Sequence, residues 1–226
     1  MSDSNKKTDY KHLSIDEIGE NHLSANPETP IRDDAFELDD DTKIEMIEAH
    51  FKEIMHILGL DLLDESLRGT PHRVAKMYVK ETFSGLNPEN KPTMTLFTND
   101  YHYNEMLVEK NIQFYSNCEH HFVPIIGKAH IAYISSGKVI GLSKLHRIVN
   151  YYARRPQVQE RMTMQIGVAL KSALMTEDVA VIIDADHQCV SSRGVGDQTS
   201  STITAFYGGA FKTEEKKNEF LRILSI

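Results

Sequence analysis

The chain has 226 residues, 40% hydrophobic and 26% charged, the proportions of a globular protein with an ordinary core. Its formal net charge of −8 argues against a general nucleic-acid binder, which carries a basic face, though a local cluster of Arg and Lys can still hold a small anion. No apolar run is long enough for a membrane span and the opening MSDSNKKTDY lacks the apolar stretch of a secretory signal, so the expected location is the cytoplasm.

Residues 1–40 are polar and without apolar period, and read as a mobile arm ahead of a domain over 41–226. Ile44, Ile47, Phe51, Ile54 and Leu58 then recur at spacings of three and four, with Gly59 as a stop, which predicts a helix from Thr42. Thr70 and Pro71, a capping hydroxyl and then proline, predict a second helix through Val74, Met77 and Tyr78 to near Gly85. Residues 41–85 therefore read as an N-terminal helical layer.

A second region, about 105–226, begins with strands. Val108, Ile112 and Phe114 mark the first, over 105–116, and GKAHIAYI the next. GLSKLHRIVNYYARRP reads as a helix capped by Ser143 and stopped before Pro156. Val158, Met162, Ile166, Ala169, Leu170 and Leu174 form one face of another. VAVIIDA and TSSTITAFY read as strands, and Lys216 to Leu224 as a final helix. Two strands, two helices and two strands predict an α+β class, an antiparallel sheet with helices on one face.

Cys118 and Cys189 are the only cysteines. A disulfide is arithmetically possible, but in a cytosolic protein a metal or catalytic role is favoured. In SNCEHHFVP, Cys118 and His121 are three apart, so one tight turn delivers a thiolate and an imidazole to one ion, a pairing suited to Zn²⁺. DADHQCVSSRG holds the other thiol. Cys118, His121 and Cys189 together leave one of four zinc positions for water, as in catalytic sites. Spacing alone leaves open whether His120 or His121 is the ligand. If the second stretch is extended, His187 and Cys189 project to the same side. His187 is then either a neighbour of the metal or a fourth ligand that closes the site. Histidines beside such water are candidate proton-transfer groups.

Ser143, Lys144 and Arg147 lie at a predicted helix start, where free N–H groups and the dipole favour anions. Arg193 follows HQC, and Arg73 and Lys76 share one face of the Thr70 helix. Glu160 offers a carboxylate able to accept two hydrogen bonds from a guanine edge. No G-x-x-x-x-G-K-[ST] loop is present, so a bound nucleotide is not held as in P-loop proteins.

TPHRVAKMY, SNCEHHFVPIIGKAHIAYI, VIGLSKLHRIV, RPQVQER and the run from DADHQCVSSRG to TSSTITAFYGGAFK, in this order from about residue 42 to the C-terminus, resemble GTP cyclohydrolase I. The resemblance implies a tunnelling fold (T-fold), assembled as a ring-shaped homodecamer with active sites between subunits. It implies Zn²⁺ held by Cys118, His121 and Cys189, with His120 and His187 catalytic. It places Ser143, Lys144, Arg147, Arg193, Arg73 and Lys76 on the ribose and triphosphate, Ser143 also assisting catalysis, and Glu160 with Gln159 on the guanine ring. The implied reaction opens the purine ring of GTP, releases formate and yields 7,8-dihydroneopterin triphosphate. Two alternatives are a zinc-stabilised structural module, which holds metal and leaves GTP untouched, and a T-fold nitrile reductase, which needs a nicotinamide and a cysteine nucleophile. A GTP-driven switch would need the missing phosphate loop.

Overall fold

The computed structural model describes residues 26–225. The first 25 residues of the expected arm lie outside them. The remainder of that arm is anchored. Thr29 is buried and its hydroxyl accepts from Arg155 Nη1 at 3.3 Å, while the Asn26 carbonyl accepts from Arg161 Nε at 2.9 Å.

Helix α1 spans Asp40–Ile57, and the Asp39 carboxylate caps it by accepting from the Thr42 N–H at 2.7 Å. Helix α2, Thr70–Met77, starts after Gly69, so Thr70 is its first residue rather than its cap, and the Thr70 hydroxyl instead accepts from Arg73. A π-turn over Tyr78–Thr82 and a 3-10 turn over Ser84–Leu86 continue it. Gly85 ends this layer for a steric reason: a Cβ there would collide with the carbonyl of Tyr151.

Strands β1 (Leu96–Thr98) and β4 (Lys138–Ile140) form a small antiparallel pair that the sequence reading did not anticipate. The main sheet has the order β5-β2-β3-β6-β7, with β2 at Met106–Cys118, β3 at Pro124–Ile134, β5 at Pro156–Gln157, β6 at Val179–His187 and β7 at Thr202–Tyr207. All its pairings are antiparallel except the two-residue contact of β5 with the end of β2. Alternation decides the faces. Ile112, Phe114 and Cys118 of β2 point to the side covered by α3 (Leu142–Ala153) and α4 (Gln159–Leu174), as do Val181, Ile183 and Ala185 of β6. Met162, Ile166, Leu170 and Leu174 of α4 are fully buried there, each contributing about 1.5–3 kcal/mol of transfer free energy. Helix α6 (Glu214–Leu224) and the preceding 3-10 turn cover part of the other face, packing Phe211 and Phe220 on Met106, Ala132, Ala180 and Ile182.

Helix α3 begins after Gly141 with no side-chain cap, so Ser143 sits inside its first turn and is exposed, rather than capping it. No helix among the described residues is long and apolar enough to cross a membrane.

Next to the covered patch, His130 is buried on the second face, its Nδ1 accepting from the Asn111 N–H at 3.3 Å. Burial holds its pKa below the ordinary 6.5; the Asp184 carboxylate partly offsets this, and Lys128 and Lys110 add to it. As pH falls through 6.5 the unfolded chain protonates this residue first, so its contribution to stability is intact above that value and lost below it. His130→Gln is expected to shrink the fall in the urea midpoint between about pH 7.5 and about pH 5.5; an unchanged fall would refute this assignment.

Candidate metal centre and active site

Strand register builds the site. Asn117 pairs with Pro124, and Ile125 with His187, so β2 and β6 finish at the same end of the sheet on either side of β3. Strand β5 pairs with Asn117 and Cys118, which brings the start of α4 to that end. After Cys118 the chain turns tightly: the Phe122 N–H donates to the Cys118 carbonyl at 2.8 Å, and Phe122 takes a φ of 55°. The turn throws His121 back over the Cys118 thiol.

Cys118, His121 and Cys189 each offer a donor atom, all within 4.8 Å of one another. Donors around a tetrahedral zinc with these ligand types stand about 3.5–3.8 Å apart, and Cys118 Sγ is 4.0 Å from His121 Nδ1. Burial pushes the Cys189 thiol pKa up, and the neighbouring Cys118 adds to this. Two sulfurs so close repel as thiolates, and a divalent cation between them removes that penalty. The donor set therefore fits a metal.

The HQC stretch is extended only as far as His187. Strand β6 ends at His187, and Gln188–Ser191 form a short helical turn, α5, that carries Cys189. The turn sends Cys189 to the metal donors and leaves His187 on the strand, where its Nε2 donates to Gln159 Oε1 at 2.7 Å. The Gln159 amide is itself fixed, because its Nε2 donates to the carbonyls of Thr202 at 2.8 Å and Ile183 at 3.2 Å. Since carbonyls only accept, Gln159 must present oxygen to His187. Neutral His187 therefore carries its proton on Nε2, and Nδ1 is left to exchange one. Burial lowers the His187 pKa, with the carboxylates of Glu160 and Asp186 opposing. The Gln159 side chain is buried, with its amide bonded inside the protein.

His120 lies beside this group, its Nδ1 3.6 Å from Cys118 Sγ. Arg193 Nη1 stands 3.1 Å from His121 Nε2, so its guanidinium lies beside the metal donors. Glu160 is exposed at the N-terminus of α4, one residue beyond Gln159. The sequence reading missed Arg161. Its side chain is 3% exposed and both Nη atoms donate to Glu119 Oε2 at 2.7 Å. The signal was present, since Val158, Arg161, Met162, Gln165 and Ile166 fall on one helical stripe, and a charge on a buried stripe needs a partner.

The remaining expected residues are not gathered here. His146 in the first half of α3 reaches Glu109, at the opposite end of β2 from Cys118. The whole helix, 12 residues and about 18 Å at 1.5 Å per residue, runs from there along the sheet toward the Cys118 end. Ser143 and Lys144 thus stand at the far end from the metal donors. Arg147 lines a separate cavity of about 540 Å³ together with Lys80 and Arg154. Arg73 donates to the Ser66 carbonyl and Thr70 hydroxyl, and Lys76 is exposed on the same helix.

The family model of GTP cyclohydrolase I matches residues 47–225. A GTP cyclohydrolase 1 from Flavobacterium johnsoniae is 58% identical over 212 residues, covering 94% of this chain and 95% of its own. A Yersinia pseudotuberculosis protein of that name is 49% identical over 223 residues, 98% of this chain and 97% of its own. One from Escherichia coli is 53% identical over 196 residues, 86% and 88% respectively.

Proposed function

The chain belongs to the GTP cyclohydrolase I family, and on that premise we propose that it opens the purine ring of GTP, releasing formate and forming 7,8-dihydroneopterin triphosphate, with Zn²⁺ held by Cys118, His121 and Cys189. The observation that carries this reading is the convergence of two sulfurs and one imidazole beside a histidine whose tautomer is set. Zn²⁺ at those donors supplies Lewis acidity and brings the ionisation of water toward neutral pH.

The chain's own residues do the rest. His187, held through Nε2 by Gln159, takes at Nδ1 the proton that the attacking water gives up and passes it to the purine N7 as C8 is hydrated. His120, beside Cys118, serves the later proton transfers with Ser143. Glu160 takes the guanine edge through its carboxylate. Ser143, Lys144, Arg147, Arg193, Arg73 and Lys76 hold ribose and triphosphate, so that substrate and intermediates stay oriented through several steps.

One copy cannot place Ser143 and Lys144 beside its own metal donors, which supports an active site shared between copies. Large exposed apolar side chains point the same way. Leu63 is 87% exposed after α1, and Met164 and Val168 are exposed on one face of α4. The proposed assembly is the homodecamer of the family, in the cytoplasm, built from the helical layer over 41–85 and the T-fold core.

Incubation of the purified protein with GTP, with and without a chelator, tests the reading. Formate and a pterin chromophore are expected, and their loss after chelation is expected to reverse on adding Zn²⁺. Bound zinc without any product would leave a structural module instead.

A further inference from the structure

Arg161 lies in the first turn of α4 on its buried stripe, where an unpaired charge is prohibitive. Its donors serve two targets. Nη1 and Nη2 both reach Oε2 of Glu119, and Nε reaches the Asn26 carbonyl. Glu119 is part of the turn between Cys118 and His121, and its own N–H donates to the Gln157 carbonyl at 3.0 Å. Its second oxygen, Oε1, stands 3.8 Å from His120 Nε2, too long for a hydrogen bond but close enough that the carboxylate lies against that ring. One carboxylate thus connects a buried guanidinium to the turn that carries two of the three metal donors.

We propose that Arg161 is a positioning residue that acts through Glu119. It holds the Cys118–His121 turn and the His120 ring in place against Cys189 and His187. It also keeps the Glu119 carboxylate from swinging onto a bound cation, because Oε2 already accepts two charged hydrogen bonds. The Asn26 carbonyl fixes the third edge of the guanidinium, so the segment at residues 26–29 belongs to the support of the metal centre. Only arginine serves here, since a lysine ammonium lacks the planar fork that reaches Glu119 twice and Asn26 once. The proposal rests on the reading of this centre as the GTP-opening site.

The test compares the full-length wild type with Arg161→Lys, Glu119→Asp and the double variant. Zinc affinity is measured by competition with a chromophoric chelator, and kcat and KM for GTP are measured on folded, zinc-loaded protein. Each single variant is expected to bind zinc about tenfold or more weakly, the usual cost of losing an outer-sphere partner. Each is expected to lose about tenfold or more in kcat with KM changed less than about threefold, the pattern of a misplaced reacting group. The double variant is expected to be no more than about threefold worse than the poorer single, because both changes cut one connection. Single variants that keep zinc affinity and kcat within about threefold of wild type, or losses that multiply in the double, would overturn the proposal. Should Arg161→Lys not fold, Glu119→Asp carries the test, because Glu119 is partly exposed and keeps its charge. A wild type that leaves GTP unchanged would sink the functional reading, while the affinity comparison would still decide the role of Arg161.

Discussion

Cys189→Ser is expected to lose its metal on dialysis and, with it, all measurable turnover of GTP. A serine hydroxyl stays protonated where a thiol can ionise, and the soft donor set of two sulfurs and one nitrogen drops to one of each. The fall in affinity is expected to exceed the roughly 10–100-fold that accompanies loss of an outer-sphere partner. Cys189 is the better of the two cysteines for this test. Cys118 is buried in the main core cluster, so replacing it also disturbs packing, whereas Cys189 sits half-buried on a short helical turn. Metal content after dialysis, read beside the far-ultraviolet circular dichroism spectrum, checks the outcome. A folded serine variant that retains one metal per chain would remove Cys189 from the donor set.

His187→Ala is expected to behave in the opposite way, keeping the metal and losing about 10²–10⁴-fold in kcat, the range of a general acid–base group. Its Nε2 is committed to Gln159 and its ring is not among the gathered donors, so its removal leaves Cys118, His121 and Cys189 in place. The pair of variants therefore separates binding the metal from using it. Metal content equal to wild type with formate release at the wild-type rate would show that His187 transfers no proton. Loss of metal would make it a fourth ligand.

Much of this arrangement could be read along the chain because its causes are local. The helices announce themselves through Met162, Ile166, Leu170 and Leu174, one turn apart, and all four are buried. The Cys118–His121 pair follows from a spacing that one turn can satisfy. Gln159 is different. Its neighbour Glu160 is exposed as a helix-start acid should be, whereas the Gln159 amide is aimed by carbonyls 24 and 43 residues further on, at Ile183 and Thr202. No pattern within a helical turn carries that information. The same holds for Ser143, whose helix dipole suits an anion but whose distance from the metal donors depends on where β4 hands the chain to α3.

By itself the sequence determined the residue types: two thiols, a set of histidines and a group of cations, strung on segments whose apolar period dictates helix or strand. Tertiary structure decided what those residues meet. Register between β3 and β6 brings Ile125 opposite His187 and so carries Cys189 to Cys118, across 71 residues of chain. The helical turn at Gln188 splits His187 from Cys189, and the buried charge of Arg161 finds Glu119. The physical reason is range. Propensity and periodicity act over a few residues, while metal donation, tautomer choice and charge pairing require atoms within about 4 Å that only a packed sheet and its helices bring together.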